Sequence, residues 1–206
     1  MHIDSEHHEP PRTGFRWLDA AIAVGVLLVS ISSLIVAIVH SRTLERMADA
    51  NVKLVEANSW PFLAYSTGNE EGGQRAINMS VDNNGIGPAK IESFVVTWNG
   101  RPQRDGAALL KSCCGYEHQP GDGLQHSIVQ GQVMRAGARL NFLYFPRTPT
   151  TAAAWDQLNN DRVSHKLDVN ICYCSVFDEC WGGDITEFTL HPRPVTKCTP
   201  SKAAYE

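Results

Sequence analysis

The chain has 206 residues, of which 43% are hydrophobic and 19% are charged, and its formal net charge at pH 7 is -4. This length suits one folded domain with additional segments. Beyond Ser59 there are 13 basic and 15 acidic side chains, so most of the chain is close to neutral. Such a domain lacks the positive charge that holds a phosphate backbone, which argues against nucleic-acid binding.

The first predicted element is an uncharged apolar segment. Residues 20–39 carry no charged side chain, and a helix of about 20 residues covers the roughly 30 Å hydrocarbon core of a bilayer. A buried core helix is one alternative. A cleaved signal peptide is another, but it would have a shorter apolar region followed by a small-residue cleavage site. We therefore predict an uncleaved, single-pass signal anchor over residues 17–40, in contact with the lipid bilayer.

The tail before this anchor, residues 1–16, is polar and contains two prolines, so it is predicted to be disordered. Charge does not decide the orientation of the anchor. Two arginines precede it, and Arg42, Arg46 and Lys53 follow it, so neither flank has a clear excess of positive charge. The cysteines decide it instead. All six follow the anchor, which favours a cytoplasmic tail and an extracytoplasmic C-terminal domain.

Residues 41–59 are predicted to form a helical stalk, because they contain no glycine or proline and are rich in good helix formers. A heptad pattern runs through the stalk, at Leu44, Met47, Asn51, Leu54 and Asn58. It lasts only about two and a half heptads, which is short for a coiled coil. The simpler interpretation is one amphipathic stalk that ends at Trp60-Pro61, since proline disfavours helix at the preceding residue.

The other interpretation of this region is a weak parallel homodimer. Small side chains let helices approach closely in lipid. They lie on one stripe of the anchor, at Ala21, Gly25, Ser33 and Ala37. Asn51 would continue the contact above the membrane, since a single buried asparagine in a heptad favours parallel two-stranded pairing.

Residues 60–198 are predicted to form an antiparallel β-sandwich, followed by a flexible C-terminus at residues 199–206. Short alternating segments with turn signals between them are typical of such a fold. Short helices are expected near residues 106–111 and 151–159. The predicted strand segments are, in chain order, AINMSVDNN, AKIESFVVTWNG with a turn at Asn99-Gly100, QVMRAGARLNFLYF hinged at Ala136-Gly137, HKLDVNICYCSVF, and DITEFTLHP as its hairpin partner.

The sequence DNNGIGPAK between the first two of these strands predicts a structural turn. Gly85 and Gly87 allow a positive φ or a close approach of the backbone, and Pro88 fixes the entry to the next strand. A phosphate-binding loop is excluded, because there is no Lys-Ser/Thr pair and the loop leads into a strand rather than a helix.

This loop, preceded by ANSWPFL and a spanning helix, resembles a group of uncharacterised bacterial single-pass membrane proteins. They share an Asn-x-Gly-x-Gly-Pro-Ala loop between two strands of an immunoglobulin-like domain. The sequences GQV, RAGARL and CYCSVFDECW also fit the group, and the resemblance covers most of residues 17–190. It implies an immunoglobulin-like sandwich held in the periplasm by an inner-membrane anchor. It assigns no functional residue.

The cysteines of the C-terminal domain are Cys113, Cys114, Cys172, Cys174, Cys180 and Cys198. An even number in a translocated domain predicts disulfide bonds. Cys172 and Cys174 share one face of a predicted strand and cannot easily bond each other, whereas Cys180 could reach Cys174 across the intervening turn. A bond from Cys113 or Cys114 to Cys172, and a bond that ties down Cys198, would complete the set.

Two sharper alternatives use Cys172, Cys174 and Cys180. A zinc site would add His191, but the spacing differs from the usual cysteine pairs. A thiol redox centre would need C-x-x-C at a helix N-terminus, and CYC is predicted to lie on a strand. No nucleophile elbow, H-E-x-x-H, haem, kinase or P-loop motif is present in the sequence. We therefore expect no enzyme, no cofactor and no metal site. We predict a membrane-tethered extracytoplasmic binding or structural module that contacts another envelope protein.

Overall fold

The structure is a computed structural model that describes residues 16–186 and 192–205. Its first element, helix α1, is continuous over Arg16–Ala57, so the predicted anchor and stalk are one helix of 42 residues. Among the described residues, α1 is the one helix long and apolar enough to cross a bilayer. It ends shortly before Pro61, as expected from proline's effect on the residue before it. The predicted disordered tail lies outside the described residues, apart from Arg16.

Residues 54–206 form a separate compact unit. Among its described residues, the helices are α2 (Gly106–Cys114) and α3 (Ala152–Val163). Its strands are β1 (Leu63–Gly68), β2 (Ala76–Asn83), β3 (Ala89–Trp98), β4 (Arg101–Gln103), β5 (Gln125–His126), β6 (Val133–Met134), β7 (Arg139–Pro146), β8 (Leu167–Cys174), β9 (Cys180–Asp184) and β10 (Arg193–Val195). The predicted order, an apolar helix followed by an antiparallel β domain, is confirmed.

The strands form two antiparallel sheets. The first has the order β1-β2-β7-β5, and the second has the order β10-β9-β8-β3-β4, with β6 pairing along the same edge of β3 as β4. The turn predicted at Asn99-Gly100 joins β3 to β4, and both residues have a positive φ, as a tight hairpin turn requires. The two strands predicted around Ala136-Gly137 enter different sheets, because β6 pairs with β3 while β7 pairs with β2.

Side chains from both sheets meet in one core. Phe94 of β3 and Phe142 of β7 are both fully buried, and their rings meet edge to face with centroids 5.0 Å apart. Strand β8 alternates as predicted: Leu167, Val169, Ile171 and Tyr173 point into this core. The side chains between them therefore lie on the outer face of the second sheet.

The hairpin partner of β8 differs from the predicted one. We expected residues 184–192, but β9 begins at Cys180 and pairs with β8 directly after a five-residue turn. Residues 187–191 lie outside the described part of the chain. The alternation of DITEFTLHP misled the prediction, because the glycines at 182 and 183 hide the strand pattern of the preceding residues.

The C-terminal segment also differs from the flexible end expected at residues 199–206. The side chain of Tyr205 is fully buried in the core between the sheets. Gln130 holds the segment from the side, since its Oε1 accepts a hydrogen bond from the backbone N–H of Ser201 at 3.2 Å. Burial of the Tyr205 ring stabilises an ordered C-terminal segment, although the residues before it are polar.

Candidate functional site at two adjacent disulfides

All six cysteines are bonded in three disulfides, Cys113–Cys114, Cys172–Cys198 and Cys174–Cys180. The bond expected from Cys113 or Cys114 to Cys172 is corrected: these two adjacent residues bond each other at the end of α2. Cys198 ties the C-terminal segment to Cys172, and Cys180 reaches Cys174 across the β8–β9 turn. We name Cys172, Cys174, Cys180 and Cys198 the sulfur cluster.

Strand register explains how the sulfur cluster forms. Cys172 and Cys174 occupy the outer-face positions of β8, with Tyr173 between them in the core. Cys174 lies directly opposite Cys180, whereas Cys172 lies opposite Gly182. A Cβ atom at Gly182 would stand 3.2 Å from the Cys172 sulfur. Because Gly182 has no side chain, there is space beside it for the bond between Cys172 and Cys198.

The two disulfides of the cluster lie against each other. The Sγ atoms of Cys174, Cys180 and Cys198 are all within 4.8 Å of one another, and these three residues are buried. Three cysteines this close, with Cys172 bonded to one of them, have the ligand chemistry of a zinc site, but only as thiolates. In the bonded state shown here the sulfurs are not available as metal ligands. The zinc alternative therefore requires reduction of both disulfides, and its sequence candidate His191 lies outside the described residues.

A cavity of about 350 Å³ opens beside the cluster. Cys174, Cys180 and Cys198 line it, and Cys172 does not. Glu92, Asp178 and Lys197 contribute charged groups to its wall. The Lys90 Nζ atom lies 2.5 Å from the Asp178 carboxylate, which draws the β8–β9 turn towards β3. Three of the four cysteines of the cluster thus line one cavity, and Cys172 lies outside its lining.

A row of residues crosses the second sheet beside this cavity. Val133, Lys90, Cys174, Cys180 and Val195 lie opposite one another across five neighbouring strands. Residues directly opposite in adjacent strands share one face of a sheet, so this row crosses the outer face of the second sheet.

Large apolar side chains are exposed along the row and on the β8–β9 turn. Val133 is 66% exposed and Phe177 is 47% exposed. The turn that presents Phe177 is ordered by a hydrogen bond from the Ser175 N–H to the Glu179 carbonyl, at 2.8 Å. We name the exposed side chains Val133, Val176, Phe177 and Val195 the apolar rim.

The predicted structural turn is a close contact between backbones. Gly85 and Gly87 are not in the positive-φ region. Instead, a Cβ at Gly85 would stand 2.4 Å from the backbone nitrogen of Phe62, and one at Gly87 would stand 1.9 Å from the carbonyl oxygen of Ser59. Pro88 then leads directly into β3. Only glycine fits at these two positions.

Asn83, the first residue of the Asn-x-Gly-x-Gly-Pro-Ala motif, holds this turn together, a role that the sequence did not reveal. Its fully buried side chain accepts hydrogen bonds from the N–H groups of Phe62 and Gly85, at 3.2 and 3.1 Å. It donates to the carbonyls of Gly87 and Met134, at 2.9 and 3.1 Å. Its position in the sequence, at the end of a strand and two residues before the first glycine, is one where asparagine often bonds to the backbone of a turn. The loop is therefore a structural clamp.

Asp122 is a second buried polar residue that sequence reasoning missed. Its carboxylate receives hydrogen bonds from the hydroxyl of Tyr116 and from the N–H groups of Gln119 and Leu124, and it lies 2.9 Å from His118 Nδ1. Burial opposes the charge of the carboxylate, but these hydrogen bonds outweigh it and lower its pKa to about 2. The charged carboxylate thus closes the loop that follows the Cys113–Cys114 bond.

The predicted oligomer face lies on α1. Ala21, Gly25, Ser33, Ala37 and Asn51 are all exposed on this helix. The dimer stays a prediction.

Comparison of the chain with protein families, with curated proteins and with solved structures finds no match. The resemblance to the membrane-anchored group therefore stays a prediction, and functional inference depends on the residues of the chain.

Proposed function

We propose that this chain is a membrane-tethered module of the bacterial inner membrane, with an immunoglobulin-like sandwich in the periplasm that binds another envelope protein. In this role it acts by binding, not by catalysis. The apolar rim is the binding surface. One combination of features carries the proposal. The chain has a helix long enough to span a bilayer, and its disulfide-bonded domain exposes apolar side chains near the sulfur cluster.

Two features support the location. The apolar part of α1 is long enough to cross a bilayer. All six cysteines follow it and are oxidised, and disulfides persist in compartments such as the periplasm rather than in the cytoplasm. The resemblance of the Asn-x-Gly-x-Gly-Pro-Ala loop to bacterial envelope proteins points in the same direction.

Two features support binding through the apolar rim. Its four side chains are apolar and exposed on one sheet and on its turn, and exposed apolar side chains grouped on a surface mark contact sites. The two disulfides and the Lys90–Asp178 ion pair hold the β8–β9 turn, which carries Val176 and Phe177, and the segment that follows Val195. A preordered surface loses little entropy on binding.

The location is tested by fusions at the C-terminus of the full chain. An alkaline phosphatase fusion is expected to be active and a green fluorescent protein fusion to be dark. The reverse pattern would contradict both the periplasmic location and the oxidised state of the cysteines.

The binding surface is tested by photocrosslinking in the chain's own host. A photoreactive phenylalanine analogue at Phe177 should give one discrete adduct with a second protein. Val163 is the matched control, because it is also apolar and exposed but lies at the end of α3, outside the rim. Equal crosslinking at both positions would show that the rim is not a specific contact.

A second candidate function is thiol chemistry at the sulfur cluster. One observation favours it over a purely structural role for these bonds: three sulfurs from two different disulfides lie within 4.8 Å of one another and share a cavity. Disulfides that serve only as covalent links need neither the proximity nor the cavity.

A further inference from the structure

We propose that the sulfur cluster is a two-disulfide exchange relay, in which a substrate thiolate opens the Cys174–Cys180 bond and the freed Cys174 sulfur then opens the Cys172–Cys198 bond. The proposal rests on the second candidate function, and the apolar rim enters it only through the choice of substrate. It gives different roles to the four cysteines.

Access decides where the relay begins. Thiol–disulfide exchange requires a thiolate to reach a sulfur of the disulfide. Within the part of the chain that the structure describes, the cavity is lined by both sulfur-bearing residues of Cys174–Cys180, but only by Cys198 of the second bond. The Lys197 side chain in the cavity wall supplies a positive charge, which favours an entering thiolate. Cys172 does not line this cavity; it lies against Gly182, where it is half-buried and more exposed than the other three cysteines of the cluster.

The first step exchanges one sulfur partner for another. The substrate thiolate attacks Cys180 Sγ, a new bond forms between the two sulfurs, and the electron pair of the Cys174–Cys180 bond leaves on Cys174. One thiolate enters and one thiolate is produced, so the oxidation state of the protein is unchanged.

The second step passes this thiolate to the neighbouring disulfide. Cys174 Sγ attacks Cys198 Sγ, which lies within 4.8 Å, and the electron pair of the Cys172–Cys198 bond leaves on Cys172. A disulfide is about 2.05 Å long, so the two sulfurs must close by at most about 2.7 Å. Cys198 lies beyond the end of β10, and its movement breaks no strand pairing of the second sheet.

The products are a mixed disulfide at Cys180, a Cys174–Cys198 bond and a thiolate at Cys172. A second substrate thiolate then attacks the substrate sulfur of the mixed disulfide and releases Cys180. Two substrate thiols are thereby oxidised to one disulfide, and one protein disulfide is reduced. The protein reacts stoichiometrically until a disulfide-bearing oxidant restores it.

The surroundings define the class of substrate. The cavity opens beside the apolar rim, where Val176 and Phe177 stand on the turn that joins Cys174 to Cys180. Glu92 adds a negative charge to the wall, while the charge of Asp178 is balanced by Lys90. A cysteine within an apolar peptide segment fits this setting, whereas the acidic thiol glutathione is repelled.

The experiment uses the oxidised full chain in detergent micelles and the monothiol peptide acetyl-Leu-Cys-Phe-amide as the probe. After an acid quench and alkylation of free thiols, the chain is unfolded in urea and digested with chymotrypsin. Cleavage after Tyr173 and Phe177 puts Cys172, Cys174 and Cys180 on separate peptides. Mass spectrometry then reports every bond and every free thiol in the wild-type chain, so no variant has to fold.

The expected result is a linked Cys174–Cys198 peptide, the probe on Cys180, and alkylated Cys172, all appearing at the same rate. Cys113–Cys114 serves as an internal control and should not join the exchange. Glutathione at the same thiolate concentration should react several-fold more slowly. Lys197→Gln should slow the reaction by a few fold, while the matched variant Lys202→Gln leaves the rate unchanged, since Lys202 does not line the cavity.

Two results would overturn the proposal. One is a folded chain that gives no adduct under conditions in which the urea-unfolded chain reacts completely, which would make both bonds structural. The other is a stable probe adduct without the Cys174–Cys198 bond, which would show that no relay follows the first step. Neither result would bear on the topology or on the crosslinking at Phe177.

Discussion

The backbone N–H of Tyr205 donates a hydrogen bond to the carbonyl oxygen of Phe94 at 3.1 Å, and the two rings meet edge to face with centroids 6.2 Å apart. Phe142 of the other sheet completes the cluster, with its ring centroid 5.6 Å from that of Tyr205. The C-terminal segment therefore places an aromatic side chain between the two sheets. Cys198 holds the same segment to β8, so the sulfur cluster and the core are joined through it.

Replacing Tyr205 by alanine is expected to lower the free energy of unfolding by about 3–5 kcal/mol, because it removes a fully buried aromatic ring. Lys202→Ala is the matched control and should change it by less than about 0.5 kcal/mol, since Lys202 is exposed. Urea unfolding of the detergent-solubilised chain, followed by near-UV circular dichroism, measures both. Tyr205→Phe separates the ring from the hydroxyl. The hydroxyl is buried without a hydrogen-bond partner among the described residues, so its removal should not destabilise the fold.

The hydrogen bonds of Asn83 predict that replacing it destabilises the fold much more than replacing its neighbour Asn84. Asn83→Ala removes four hydrogen bonds and leaves buried backbone groups unpaired, so we expect a loss of about 3 kcal/mol. Asn84→Ala changes an exposed side chain and should have little effect. Thermal unfolding of the two variants side by side tests this. Equal melting temperatures would show that the loop contributes little to the stability of the fold.

Asp122 predicts an acid-sensitive contribution to stability. Its pKa is about 2 in the folded chain, below its ordinary value of 3.8. As the pH falls, the unfolded chain takes up this proton first. The contribution is therefore complete above about pH 5 and is lost as the pH falls from 4 through about 2. Urea unfolding gives the free energy of unfolding at pH 6 and at pH 3. Its decrease between these two pH values should be smaller for Asp122→Asn than for wild type. Glu70→Gln, at an exposed carboxylate, should behave like wild type.

The three disulfides predict that the folded, oxidised chain has no reactive thiol. Mass spectrometry after alkylation of the native and of the urea-unfolded chain should find all six cysteines unmodified. Reduction before alkylation should label all six. If four or more were labelled without reduction or unfolding, the disulfides would not be the resting state of this domain.

The small residues of α1 and Asn51 predict a weak parallel homodimer in the membrane. Cysteines placed singly along the stalk should crosslink most at positions 44, 47, 51 and 54, because these share one seam of the helix. Positions 45, 49 and 53 serve as controls on other faces of the same helix. Uniform or absent crosslinking in membranes would favour the single stalk.

The elements that follow from local chemistry were predictable from the sequence. The helix α1 follows from an uncharged apolar run and good helix formers, and the core face of β8 follows from the alternation of Leu167, Val169, Ile171 and Tyr173. The oxidised state followed from an even number of cysteines beyond the anchor. Each of these properties depends on residues that are neighbours in the chain.

Only the tertiary structure decided the cysteine pairing, the burial of Tyr205 and the clamp at Asn83. A disulfide requires two Cα atoms within about 4–7 Å, and which cysteines meet that condition depends on strand register and on the space left by Gly182. Tyr205 contacts residues more than 60 positions away, and Asn83 bonds to Met134 across 51 positions. Periodicity along the chain carries no information about which distant segments meet, because the packing of the two sheets sets those contacts.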